Sequence, residues 1–241
     1  MLDDLINREF DFRAEQHAQA IIEADFSGAL SEICETLSQV SIPIEELVSG
    51  GGGKTPVVQR MEAKLKGLDW PNHNFSLQKL VDGEAKQAIS HEIDHVKWFD
   101  SGIIALEIEW NNKDPFFDRD LQNFRQLHSD GAISIGVIIT RGKSFQNGIF
   151  ELIRQFAIDH SFSSLEDLRP FYEPSRGQRK NINKKLESGT SFAEAWSSVF
   201  CSSKFGQSTT HWDKLEDRID RGVGNPCPLL LFGIPLSVVV L

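Results

Sequence analysis

The sequence predicts an α/β fold, a mixed β-sheet flanked by α-helices. Three features carry that expectation. Ile103 to Trp110 is rich in β-branched and aromatic residues and reads as a strand. Ile133 to Ile139 is nearly continuous apolar sequence, the mark of a central strand buried on both faces. Between them Leu121, Phe124 and Leu127 recur at helical spacing, so the order is strand, helix, strand.

The other elements follow from the same periodicities. Residues 10–39 are expected to be helical, because Ala18, Ile22, Phe26, Leu30, Ile33 and Leu37 fall on one face. Ser49 to Gly53 reads as a flexible loop. Thr55 and Pro56 then offer an N-cap and an N1 proline for a short helix. Val57, Met61 and Leu65 form its apolar stripe, and Gly67 stops it. Further helices are expected around 148–158, 190–200 and 210–221, the last ending at Gly222, before a closing strand from Leu229 to Ile234. No linker or internal repeat interrupts the pattern. One domain over residues 1–241 is expected, with a helical N-terminal part over about 1–50.

Composition narrows the class. The chain is 40% hydrophobic and 25% charged, with 17 Phe and 5 Trp, which supplies a large core and excludes a disordered chain. Its 25 basic and 35 acidic residues sum to −10, against a generic electrostatic coat for nucleic acid, although a local cleft can still be basic. Cys34, Cys201 and Cys227 are far apart and form no C-x-x-C pair, so neither a zinc ribbon nor a disulfide framework is indicated. With an acidic start at Met1 to Asp4 and no apolar run able to span a bilayer, a cytoplasmic protein without a membrane partner is expected.

Two motifs invite chemistry and fit it poorly. Gly50 to Thr55 resembles a phosphate loop, but the G-x-x-x-x-G-K-[ST] spacing needs glycine where Val48 stands, and no convincing strand leads in. His91 to His95 matches H-E-x-x-H, which on a helix would hold zinc with Glu92 as the base of a metalloprotease. Trp98 and Ser101 stand where one extended pattern has glycine and histidine, so a zinc protease is the remote alternative.

Leu106-Glu107-Ile108-Glu109-Trp110 is more informative. Alternation along a strand puts Glu107 and Glu109 on one face and Leu106, Ile108 and Trp110 on the other. Carboxylates on an apolar strand are costly unless they bind a cation or line a wet cleft. A hairpin through Asp100-Ser101-Gly102 would return Asp94 beside Glu107. Three acidic groups there would suit magnesium; the competing reading is an ordinary edge strand with a solvated acidic face.

This D…E-x-E pattern resembles the PD-(D/E)xK nucleases, and within them type II restriction endonucleases of the BglII, BstYI and BamHI group. Thr55 to Trp70, Ile93-Asp94, Ile133 to Lys143, Ser164 to Tyr172 and Leu230 to Ile234 are also similar to segments of that group. The Asp94 to Glu107 interval is a few residues longer than in BglII, and a second glutamate replaces the commoner lysine. The resemblance implies a restriction-endonuclease-like fold and cleavage of both strands of a short palindromic site by a homodimer. Asp94, Glu107 and the Ile108 carbonyl would hold one or two Mg2+, for which Mn2+ can substitute, and Glu109 would serve the attacking water. His73 occupies the place of the group's further active-site residue, with Asn72 and Asn74 beside it. A cognate DNA methyltransferase is implied as a functional companion. Open alternatives are a structure-selective or repair nuclease on the same fold, and a non-catalytic DNA-binding module.

Double-stranded DNA would then meet several segments. Asn111, Asn112 and Lys113 follow the catalytic strand, and in the group this place enters the major groove, where an amide can pair with adenine. Arg141 and Lys143 form a basic turn. Arg169, Arg176, Arg179, Lys180, Lys184 and Lys185 make a basic run that suits phosphate contact or a solvated loop. Thr209, Thr210 and His211 open a helix whose N-terminus could meet a phosphate, or simply cap it around a core tryptophan.

Overall fold

The computed structural model describes residues 1–50 and 53–241, apart from the side chains of residues 79–81 and 85–89. Gly51 and Gly52, within the expected Ser49 to Gly53 loop, lie outside the described residues. The chain opens with α1 (Leu2–Asn7), β1 (Asp11–Glu15), α2 (Ala18–Asp25), α3 (Ala29–Ser38), β2 (Ile42–Pro43), α4 (Ile44–Val48) and α5 (Pro56–Gly67). Two antiparallel hairpins follow, β3 (His73–Val81) with β4 (Glu84–Ile93), and β5 (His95–Phe99) with β6 (Gly102–Glu109). The rest is α6 (Phe116–Ser129), β7 (Ile135–Arg141), α7 (Lys143–Asp159), α8 (Arg176–Glu187), α9 (Phe192–Lys204), α10 (Trp212–Asp220), β8 (Leu229–Ile234) and β9 (Val239–Val240).

The main sheet runs β1-β8-β7-β6-β5. Its three inner strands are parallel and the outer two antiparallel, a mixed sheet as expected. Helices cover both faces. On one side α3, α5, α7 and α9 pack with Leu106, Ile108 and Val137 in the larger core. On the other, Phe117, Leu121, Phe124 and Leu127 of α6 and Trp212 and Leu215 of α10 pack on Ala105, Ile138 and Leu231. Gly136 on β7 matters here. A Cβ added to it would lie 2.5 Å from Phe124 Cδ2, so glycine lets α6 sit close against the sheet.

Several expectations are corrected. Residues 10–39 are not one helical stretch, because Asp11–Glu15 is β1, paired with β8, with the Phe12 ring 5.2 Å from that of Phe232. Gln16 and His17 turn the chain with positive φ before α2, and Gly28 (φ 87°) separates α2 from α3. From Arg176 to Lys185 the basic run lies on α8 rather than in a loop, started by a reciprocal capping box between Ser175 and Gln178, while Arg169 falls outside that helix. H-E-x-x-H lies on no helix. His91 is on β4 and His95 on β5, where its Nδ1 meets Trp70 O at 2.9 Å, so the i, i+4 zinc face does not form. The glycine loop follows α4 rather than a strand, against a phosphate loop.

Candidate active site

β6 carries its carboxylates on the face covered by α6. Leu106, Ile108 and Trp110 enter the larger core, while Ala105 belongs to the smaller one, so Glu107 and Glu109 share the latter side. They are only 3% and 2% exposed. The β5–β6 register ends at His95 opposite Leu106, and one step on Asp94 reaches Glu107 within side-chain hydrogen-bonding distance. From α6 the wholly buried Asp120 closes on Glu109. From α5 comes Glu62, also buried, paired with Lys54.

These acids disturb one another. Burial, then the Asp120 and Asp94 carboxylates, pushes Glu107 well above the usual carboxylate range. Burial and contact with Asp120 raise Glu109, opposed by the Asn112 amide and by Arg119. Asp120 also rises through burial, although Glu109 and Arg119 oppose the shift. Arg119 Nη2 stands 2.7 Å from Asp120 Oδ1 and 3.5 Å from Glu109 Oε1. Asn112 Nδ2 donates to the other oxygen, Glu109 Oε2, at 2.6 Å. Asp120 Oδ2 is buried with no partner.

An open cleft of about 790 Å³ borders the group, with Lys54, Glu62, Asp94, Glu109, Asn112 and Arg119 in its wall. It lies at the C-terminal end of β6, where open α/β sheets commonly bind ligands.

The sequence-chosen residues divide. Asp94, Glu107, Ile108 and Glu109 come together, and Asn111 and Asn112 line the same cleft. Lys113 pairs with Thr209 in an isolated bridge, and Thr210 N–H donates to Asn112 O at 2.9 Å. Arg141, expected at a DNA surface, is fully buried instead. Its guanidinium donates to Trp110 O, Thr210 O, Gln146 Oε1 and Thr209 Oγ1, tying strand ends together. Desolvation lowers it to about 9. Thr210 and His211 are buried too, so neither offers its side chain to solvent. Lys143 is exposed at the start of α7, and Lys180 and Lys184 are exposed on α8. Arg179 is held by Glu173 at 2.6 Å. His73 is not in the cleft wall; its ring lies edge-on to Phe75 and Trp98.

Sequence reasoning missed Glu62, Arg119 and Asp120, and met Lys54 only within the Gly50 to Thr55 phosphate-loop pattern. Two of them had a signal. Asp120 sits three residues after Phe117 and four before Phe124, and Glu62 four after Val58 and three before Leu65, so both acids lie on apolar helix faces.

A family model described as restriction endonuclease BglII/BglIII matches residues 10–234. The chain belongs to this BglII restriction endonuclease family. No curated protein matches the sequence closely enough to count as a relative. As a BglII-family restriction endonuclease it is a site-specific deoxyribonuclease, a hydrolase that takes DNA as its substrate in restriction–modification. Restriction endonucleases generally use divalent metal ions. As the side chains stand, no group of three or more His, Cys, Asp or Glu among the described residues could hold a metal ion. The chemistry of the donors nevertheless fits a hard dication. They are all oxygens, one of them lacks any partner, and their mutual repulsion is what a cation relieves. No helix among the described residues is long and apolar enough to cross a membrane.

Proposed function

We propose that this endonuclease is a PD-(D/E)xK enzyme akin to BstYI and BamHI, and that as a homodimer it cuts both strands of a short palindromic site with Mg2+. The observation that carries the reading is the meeting of Asp94, Glu107 and Glu109 at the end of β6 beside an open cleft. Asp94, Glu107 and the Ile108 carbonyl would hold the metal, with Asp120 close behind. When bound, such an ion stabilises charge on the phosphoryl group and lowers the pKa of water. Glu109 orients the attacking water and takes its proton, and Asn112 keeps that carboxylate aimed. Twofold protein symmetry matches a palindrome. Lys143, Lys180 and Lys184 are exposed cations suited to phosphates, and Asn111 lines the cleft with exposed Lys113 two residues on. Host DNA in the cytoplasm would be protected by a methyltransferase acting separately.

The test is incubation of the purified protein with phage DNA and Mg2+ or Mn2+. Discrete fragments are expected, and Glu107→Ala should abolish them while gel-shift binding persists. A smear would favour a nonspecific or structure-selective nuclease, and binding without cutting would make the chain a DNA-binding module.

A further inference from the structure

The site is rich in carboxylates, and its strand carries Glu109 where the commoner pattern has lysine. Among the described residues three cations line the cleft, Lys54, Arg119 and Lys204, the last held by the Leu47 and Ser49 carbonyls. Arg119 is committed, its guanidinium bonded to buried Asp120 through both Nε and Nη2 at 2.7 Å. Lys54 makes a single ion pair instead. It pairs with Glu62, whose side chain is 11% exposed, while its own is 55% exposed. The carboxylate is therefore the more buried partner, as Asp120 (0%) is beside Arg119 (53%). Asp94 and Glu107 are near enough to act on its charge.

The chain is anchored up to Gly50 and again from Pro56. Lys204 Nζ donates to Leu47 O and Ser49 O, both at 2.8 Å, and Gly50 N–H donates to Phe171 O at 3.2 Å. Downstream, α5 begins at Pro56. Thr55 stands at its N-cap, yet its hydroxyl makes no capping bond and is buried without a partner in the same cleft. A polar atom left this way in a cleft that Lys54 also lines suits an anionic oxygen.

We propose that Lys54 is a catalytic residue, its ammonium meeting the scissile phosphate and supplying from the α5 side the positive charge that β6 lacks. This rests on the nuclease reading above. In the hydrolysis the water oxygen forms a new P–O bond and one ester P–O bond breaks. The water proton passes to Glu109, and the departing alkoxide takes a proton from solvent. Lys54 stays protonated throughout and stabilises the charge that builds on the non-bridging oxygens.

The experiment uses the full-length protein under enzyme excess, with phage DNA and Mg2+. Lys54→Ala should slow cutting by about 100-fold or more, the scale of losing one fixed charge-stabilising donor. Gel-shift affinity and melting temperature should change little. Lys54→Cys should be equally slow, and treatment with 2-bromoethylamine should restore most of the rate by rebuilding a cation. Cys34, Cys201 and Cys227 are all buried, so the reagent falls on position 54. Iodoacetamide, which adds no charge, should restore nothing. Wild-type rates in Lys54→Ala would overturn the assignment while leaving the nuclease reading intact. So would recovery in Lys54→Ala combined with Glu62→Gln, which would reduce Lys54 to a neutraliser of Glu62. If the unaltered protein cuts nothing with Mg2+ or Mn2+, the nuclease reading fails first and the role of Lys54 falls with it.

Discussion

Asn112 donates its side-chain amide to Glu109 Oε2 across 2.6 Å. The residue expected to read a base thus spends a donor inside the protein, on the carboxylate assigned to the attacking water. Its main chain is fixed as well, since Asn112 O accepts from Thr210 N–H.

Asn112→Ala should therefore slow cutting by about 10–100-fold, as removal of a group that orients a catalytic ligand does. Binding to uncleaved DNA should hold. Asn112→Asp should be worse, placing a second carboxylate against Glu109. Single-turnover rates beside gel shifts decide this. Lost discrimination at one base pair with normal cutting of the best site would return Asn112 to the base edge.

The buried acids predict a pH effect on the metal-free protein. Folded-state values for Glu107, Glu109 and Asp120 are raised, chiefly by burial. An unfolded chain then releases protons that the folded one retains. Stability is complete below the unfolded carboxylate range and declines as pH rises toward the folded values. In EDTA the melting temperature should fall between about pH 5 and 8. Glu107→Gln should flatten that slope. A melting temperature that climbs over this interval would show the acids to be ionised and already compensated.

Arg141→Met should destabilise the fold by about 3 kcal/mol or more, because buried carbonyls at Trp110 and Thr210 lose their donor. Arg141→Lys should recover only part, lacking the planar fork that serves several acceptors. Chemical denaturation measures both. If instead stability is unchanged and the salt dependence of DNA binding drops, the side chain reaches the duplex in the complex.

Lys180→Ala with Lys184→Ala should weaken binding alike for cognate and random DNA, lowering the salt slope by roughly one unit per lost phosphate contact. An unaltered slope would place the exposed face of α8 away from the duplex.

Much of this was readable from short patterns. The strands at Ile103 to Trp110, Ile133 to Ile139 and Leu229 to Ile234 follow from apolar, β-branched sequence, and the structure has β6, β7 and β8 there. Alternation alone separated Glu107 and Glu109 from Leu106 and Ile108. The β3–β4 hairpin escaped notice although its turn, Asp82-Gly83, carries positive φ at both residues, a known hairpin signal. β1 was hidden because helical spacing from Ala18 onward extends backward over a short edge strand that is fixed only by pairing with distant β8. Arg141 was misplaced because a basic turn looks the same whether its cation meets phosphate or carbonyl oxygens. Asp120 and Glu62 needed tertiary contact, since the sequence does not say which helix faces a given strand.

The clamp around buried Arg141 bears on redesign. Asn111 to Lys113 cannot be exchanged as a free-standing cassette, because Lys113 is bridged to Thr209, Asn112 O to Thr210, and Trp110 O to Arg141. Altered loops at 111–113 would drag the 206–211 segment and the end of the catalytic strand along with them. Libraries seeking a new target preference should vary both segments together and leave Arg141 untouched, or most members will trade turnover for selectivity.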